Sequence, residues 1–214
     1  MNDHCSTNNA TVTVVYHSGF GHTKVQAEWV LKGARDVPGT TAYLVAVDAI
    51  EHHWEVLDAA DAIVFGTPTY MAGPSAQFKA FMDATSGRWA HQAWKDKLAA
   101  AFTNSSGING DKLNTLESLS LFAMQHGMVW VGLGLMPGNS TTAGSAEDLN
   151  RLAAFVGAMA QSNADAGPDV APGGSDLRTA AALGRRVAEA AARWRQGAGV
   201  FDADDRRSST LVGA

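Results

Sequence analysis

An open α/β fold built on a doubly wound, five-stranded parallel sheet with helices on both faces is the architecture this sequence predicts, and three observations predict it. Apolar, β-branched runs alternate with segments of helical period along most of the chain. Those runs are almost uninterrupted in hydrophobicity, as strands covered on both faces are. Three of them stop at short loops rich in Gly, Ser, Thr and Asn. A length of 214 residues with 46% hydrophobic content suits one domain of this kind with an insertion or tail, and leaves little room for two.

Residues 11–16 (Thr-Val-Thr-Val-Val-Tyr) form the first strand and end at Ser18-Gly19. A helix follows from Thr23, with Ala27, Val30, Leu31 and Ala34 at helical spacing and Pro38-Gly39 at its exit. Residues 41–47 and 61–65 repeat the strand pattern. Gly73-Pro74 is placed to open the next helix, since proline is tolerated at the first helical position, and Phe78, Phe81, Met82 and Thr85 give its inner face. Residues 97–103 have helical propensity, but their place after a helix and before a Ser/Gly/Asn loop makes them a strand. Leu113, Leu116, Ser120, Ala123 and Met124 line the following helix, His126-Gly127 turns the chain, and residues 128–133 are again a strand.

Residues 134–146 and 164–175 read as loops. Between them, residues 152–161 are alanine-rich yet stand where the alternation calls for the last strand. Ser175 caps a final helix over residues 176–195, with Ala180, Gly184, Val187, Ala191 and Trp194 on one face. The domain is thus read as residues 11–195, preceded by a flexible segment 1–10 and followed by a mobile tail 196–214. Of the two common doubly wound strand orders, the short first loop favours 2-1-3-4-5.

A formal net charge of -5 and a pI near 5.7 argue against nucleic acid or an anionic membrane as partner. No apolar run approaches the roughly 18 residues of a membrane span. A single cysteine, Cys5, forms no internal disulfide, and cytoplasmic residence is the expectation. His4, His17, His52, His53 and His91 show no metal-ligand spacing, so no metal is expected.

In such sheets ligands sit outside the carboxyl ends of the strands, where the three loops fall. The first, Ser18-Gly19-Phe20-Gly21-His22-Thr23, offers two hydroxyls and unpaired N–H groups at a helix start, a cradle for a phosphate that needs no lysine although Lys24 is adjacent. Taken alone it is equally an ordinary glycine-containing turn. Lys24 stands where a dinucleotide fingerprint needs its third glycine, and the Gly-Lys-Ser/Thr of a P-loop is absent. The second loop (Thr67, Pro68, Thr69, Tyr70, Met71, Ala72, Gly73) and the third (Asn104, Ser105, Ser106, Gly107, Ile108, Asn109, Gly110) add hydroxyls, amides and two apolar faces, Tyr70 and Met71. Together they describe a flavin mononucleotide (FMN) site.

The residues resemble the flavodoxin-like family over most of the chain, and more closely the WrbA-type NAD(P)H:quinone oxidoreductases. The resemblance rests on Ser-x-x-Gly-His-Thr at 18–23, Phe-Gly-Thr-Pro-Thr at 65–69, Gln-Phe-Lys-Ala-Phe-Met-Asp at 77–83 with Gly87-x-Trp89, and His126-Gly127-Met128. Tyr70-Met71-Ala72 stands where that family commonly has Arg-Phe-Gly. The resemblance implies non-covalent FMN held by residues 18–23 at its phosphate and by 69–72 and 105–110 at its ring and ribityl chain. It also implies Trp89 and His126 bordering the substrate face, His126 within hydrogen-bond reach of the flavin or the acceptor, and a site completed across subunits in a homodimer or homotetramer. NAD(P)H would deliver a hydride, leave, and be replaced by a quinone-like acceptor. A flavodoxin-type electron carrier with no small-molecule substrate fits the same residues, as, less well, does a scaffold without FMN.

Overall fold

The computed structural model describes residues 9–208, with side chains up to 197. Strand β1 (Ala10–Tyr16) pairs in parallel with β2 (Thr40–Ala46) on one side and β3 (Ala62–Tyr70) on the other. The end of β3 folds back on a two-residue strand, β4 (Gly73–Pro74), in antiparallel pairing. Beyond β3 lies β5 (Leu98–Ser105), parallel to it, and β5 carries both β6 (Val129–Trp130) at its start and β7 (Ala158–Gln161) at its end. With the β4 hairpin set aside, the path β2-β1-β3-β5 followed by β6 and β7 is the doubly wound order the sequence predicts.

Side chains alternate between the faces of the sheet, and each face has its own core. Val12, Val14, Val64, Ala100 and Phe102 face α1 (His22–Arg35) and α6 (Gly174–Ser208), meeting Ala27, Val30 and Ala34 of the first and Ala180, Leu183 and Val187 of the second. Val15, Ile63, Phe65, Ala99 and Ala101 face the other layer. There Phe78 and Phe81 of α3 (Ala76–Ala84), Leu116, Leu119 and Phe122 of α5 (Lys112–Gln125), and Trp94 close an aromatic cluster. A 3-10 helix (Val47–His52), α2 (Trp54–Asp58) and α4 (Ser86–Ala90) complete the connections.

Several expectations need correction. Strand readings at 128–133 and 152–161 compete for one sheet position, and each takes half of it: β6 is two residues long, Val131 adds one more bond to Ala99 (2.7 Å), and the chain departs at 132–157 before β7 resumes the ladder. The sheet is therefore not wholly parallel or five-stranded in the simple sense, because β4 and the split edge add short strands. Gly73-Pro74 does not start a helix. It pairs with Thr69 and Tyr70, and Ser75 caps α3 by accepting from the Phe78 N–H (3.3 Å). On α5 the buried face is rotated from the expected one: Leu113 and Met124 are exposed, whereas Thr115, Leu119 and Phe122 are buried with Leu116 and Ala123. Trp194 is likewise half-exposed, its indole N–H donating to the Asp96 carbonyl (2.9 Å).

Ser175 lies inside α6 and donates to the Asp148 carbonyl instead of capping. The helix runs on to Ser208, so residues 196–208 of the expected tail are helical. Ala10 already belongs to β1, its N–H bonded to the Gly39 carbonyl (3.0 Å). Residues 1–8, including His4 and Cys5, and the end of the expected tail, 209–214, lie outside the described residues. Among the described residues no helix is long and apolar enough to cross a membrane, and no group of three or more His, Cys, Asp and Glu side chains is placed to hold a metal ion.

Candidate functional site

A cleft of about 220 Å³ opens at the carboxyl ends of β1, β3, β5 and β7. Phe20, His22 and Thr23 of the first loop, Pro68, Thr69 and Tyr70 of the second, and Asn104, Ser105 and Ser106 of the third line it, with Ser162 and Ala164 as an additional wall. The sequence reading missed these last two. They follow β7 just as the other loops follow their strands, so the same carboxyl-end rule finds them once the register of the last strand is known.

The first loop leaves backbone donors free at the start of α1. Gly21 adopts φ 90 ahead of α1, a left-handed conformation that costs a residue with a Cβ about 1–2 kcal/mol. Ser18 Oγ accepts from the Lys24 N–H (3.1 Å), which leaves the N–H groups of the first turn at His22 and Thr23 without intrahelical acceptors. The His22 Nε2–H donates to the Ala166 carbonyl (2.8 Å), so this ring ties segment 162–168 to the loop.

The second loop needs correction, because residues 67–70 are the end of β3 and only Met71 and Ala72 turn the chain. The Thr67 hydroxyl bonds to Pro68 and Ser75, and Thr69 Oγ1 lies 2.8 Å from both Thr103 Oγ1 and Thr115 Oγ1. Both hydroxyls are buried and committed, since a buried hydroxyl left unpaired is costly: that of Thr67 ties the end of β3 to the cap of α3, and that of Thr69 ties β3 to β5 and α5. What β3 offers the cleft is its backbone and the ring of Tyr70. Phe20 meets Tyr70 edge-on at 6.3 Å, and with the wholly exposed Met71 they form an apolar rim. Met71 and Ala72 make the two-residue turn into β4, both at positive φ, and Asn114 Nδ2 donates to the Ala72 carbonyl (2.6 Å). In the third loop, Gly107, Asn109 and Gly110 do not line the cleft; Gly110, at φ 56, sits where a Cβ would come 2.2 Å from Ser105 Oγ.

Trp89 and His126 are brought together, but elsewhere. They share a second cleft with Thr85, Phe122 and Gln125, at the ends of α3 and α5 and beside the start of β6, hence at the amino edge of the sheet. Within one chain neither borders the loop cleft. Thr85 Oγ1 donates to the Met82 carbonyl (2.6 Å), so His126 donates to Thr85 through Nε2 (2.9 Å) and its buried Nδ1 is an acceptor without a partner among the described residues. Burial pushes the His126 imidazole below its ordinary range; at His17, whose Nδ1 lies 2.8 Å from Ser75 Oγ, burial does the same against the opposing charge of Asp48.

A histidine harder to protonate when folded gives stability that is complete above its unfolded pKa of about 6.5 and is lost as pH falls from there through the folded value. Melting temperature is expected to be level from pH 8 to about 6.5 and to decline below it, with a shallower decline in a His126→Phe chain. Thermal melts across pH 5–8 check this, and identical slopes for the two chains would remove His126 as a contributor.

The donor set fits FMN: N–H groups and hydroxyls at a helix start for the phosphate, an amide-lined slot, and an apolar rim where a flat ring can rest. The volume of the open cleft, about 220 Å³, is below the range of about 300–1,000 Å³ typical of ligand pockets. Residues 18–142 match the model of the NADPH-dependent FMN reductase family. The chain belongs to the NADPH-dependent FMN reductase family. Its relatives in and around this family divide in a useful way. Flavodoxin FldP of Pseudomonas aeruginosa (strain UCBPP-PA14) is 46% identical over 179 residues, covering 82% of this chain and 93% of that protein. An NAD(P)H dehydrogenase (quinone) of Geobacter sulfurreducens is 32% identical over 209 residues, covering 85% and 98%. The crystal structure of the flavodoxin, WrbA-like protein from Agrobacterium tumefaciens superposes with a TM-score of 0.68 at 45% identity, over 86% of this chain and 98% of that one. This FMN reductase family member is thus a flavodoxin-like oxidoreductase of WrbA type.

Proposed function

We propose that the chain binds FMN without a covalent link in the loop cleft and passes electrons from NAD(P)H to a quinone-like acceptor in a ping-pong cycle. The observation that carries this reading is the convergence of all three loops on one cleft with an open apolar rim. The bound flavin would supply the hydride chemistry, and the protein's task is to hold it, tune it and leave one face accessible. Ser18, Gly21, His22 and Thr23 take the phosphate. Phe20, Pro68, Thr69, Tyr70, Met71 and Ala72 support the ring, and Asn104, Ser105 and Ser106 close the opposite side, with Ser162 and Ala164 as a further wall. The likeness to the curated NAD(P)H dehydrogenases (quinone) and the cytoplasmic expectation set by a single cysteine fit this role.

Trp89 and His126 can border such a site only from a second copy, since their own cleft lies at the other end of the sheet. A homodimer or homotetramer follows, with residues 134–146 and the Trp89 region as contacts. A second reading, an electron carrier without a nicotinamide substrate, is favoured by the likeness to flavodoxin FldP.

One experiment separates them: the visible spectrum of FMN-reconstituted protein, followed anaerobically on adding NADH or NADPH and then a benzoquinone. Bleaching and recovery are expected, from a species that elutes on sizing as a multiple of the 22.4 kDa chain. A bound flavin that ignores both nicotinamides would establish the carrier; a chain that takes up no FMN would overturn both readings.

A further inference from the structure

Lys112, the first residue of α5, has no solvent exposure. Burying an ammonium is costly unless it is paired, yet both acceptors it finds are neutral: Nζ donates to Ser105 Oγ (2.9 Å) and to the Gly107 carbonyl (2.6 Å). Both belong to the third loop, and Ser105 itself lines the cleft. The charge is not cancelled nearby. Asp176 at the start of α6 acts on Lys112, but this carboxylate is 1% exposed and committed elsewhere, gripped by Arg151 through Nε (2.8 Å) and Nη2 (2.7 Å) and by the Gln161 N–H (2.9 Å). Two cations and one carboxylate leave a net positive charge beneath the third loop. Gln161 connects the same cluster to the cleft wall by donating to the Ser106 carbonyl (2.8 Å).

We propose that Lys112 is a positioning residue that sets the redox balance of the cleft, its buried charge holding reduced FMN more tightly than oxidised FMN. The inference rests on the FMN reading above and deepens it. Hydride transfer from the nicotinamide adds two electrons and one proton to the flavin ring and leaves NAD(P)+, so a neutral ring gains one negative charge. A fixed positive charge in a poorly screened interior favours that product, whereas a loop staple made only for shape needs no charge at all. Burial lowers the Lys112 pKa to about 8, with Asp176 raising it and Arg151 lowering it further, and the ammonium remains the main form at pH 7. Those two are the charged groups facing it from other elements; Asp111, its neighbour in the chain, is exposed.

The test is the affinity for oxidised FMN together with the midpoint potential of the bound flavin, which yields the affinity for the reduced form. In Lys112→Met the preference for reduced over oxidised FMN is expected to fall about tenfold, equivalent to a potential about 30 mV more negative for a two-electron couple. Lys112→Arg should restore most of it. If both affinities fall by the same factor, or the potential does not move, Lys112 is a staple only and the proposal is overturned. Should Lys112→Met fail to fold, the wild type decides: the potential of bound minus free FMN is expected to become more negative from pH 7 to 9.5, and a flat difference overturns the proposal. Failure of the wild type to bind FMN would instead overturn the reading of the cleft, and this inference with it.

Discussion

Replacing Gly184 by alanine is expected to remove about 3 kcal/mol of folding stability, at the upper end of what overpacking usually costs. A Cβ there would stand 1.9 Å from the Val30 carbonyl oxygen and 2.8 Å from its carbon. The obstacle is backbone, so no rotamer change relieves it, and α1 and α6 must move apart. Reciprocally, a Cβ on Gly33 of α1 would stand 1.9 Å from the Ala181 carbonyl oxygen of α6. The two glycines let one helix backbone rest on the other, and this contact seals the core of Val12, Val14, Val64 and Leu183. Denaturant unfolding at constant slope measures the loss. Because both substitutions demand the same separation, Gly33→Ala with Gly184→Ala should cost less than the sum of the two single changes. A loss of under about 0.5 kcal/mol, the range of ordinary surface changes, would mean that the helices slide past one another freely.

Gly184 illustrates what the sequence makes legible. Its place on the inner face of the last helix follows from period alone; its role as a helix contact point requires the partner's backbone. The same division holds along the chain. The alternation of buried strands and amphipathic helices identifies the doubly wound sheet, and the carboxyl-end rule places the three loops around one cleft. The split edge strand was not legible, since residues 129–130 and 158–161 are too short to show a period and only β5 reveals that they share a side. The turn at Met71 and Ala72 lacks the Asn-Gly signature of a tight hairpin, which hid β4.

At the cleft, hydroxyl-bearing residues were readable but their partners were not. Thr67 and Thr69 face inward because strand alternation and the proximity of Thr103, Thr115 and Ser75 give them buried partners. Nothing in the sequence around Lys112 marks it as buried, and only the fold puts it under the third loop. His126 and Trp89 stand out by resemblance, and their placement at the opposite edge of the sheet is a property of three dimensions that no spacing within one chain encodes.

Replacing Gly21 by valine is expected to weaken FMN binding about 100-fold, the equivalent of losing one strong hydrogen bond to a charged group. Gly21 holds φ 90 immediately before α1, where a β-branched residue is a genuine outlier. Its Cβ would also lie 2.9 Å from Cγ of Pro168, in the segment that His22 ties down through Ala166. Relief comes by rotating the loop, which turns the N–H groups of the first helical turn away from the phosphate. The expected signature is selective. Riboflavin has the same ring and ribityl chain without the phosphate, so the ratio of FMN to riboflavin affinity should collapse in Gly21→Val while riboflavin affinity stays close to that of the wild type. Fluorescence titration with both ligands measures it. Equal losses for the two would place the phosphate away from the start of α1 and leave the first loop as a turn that only connects β1 to its helix.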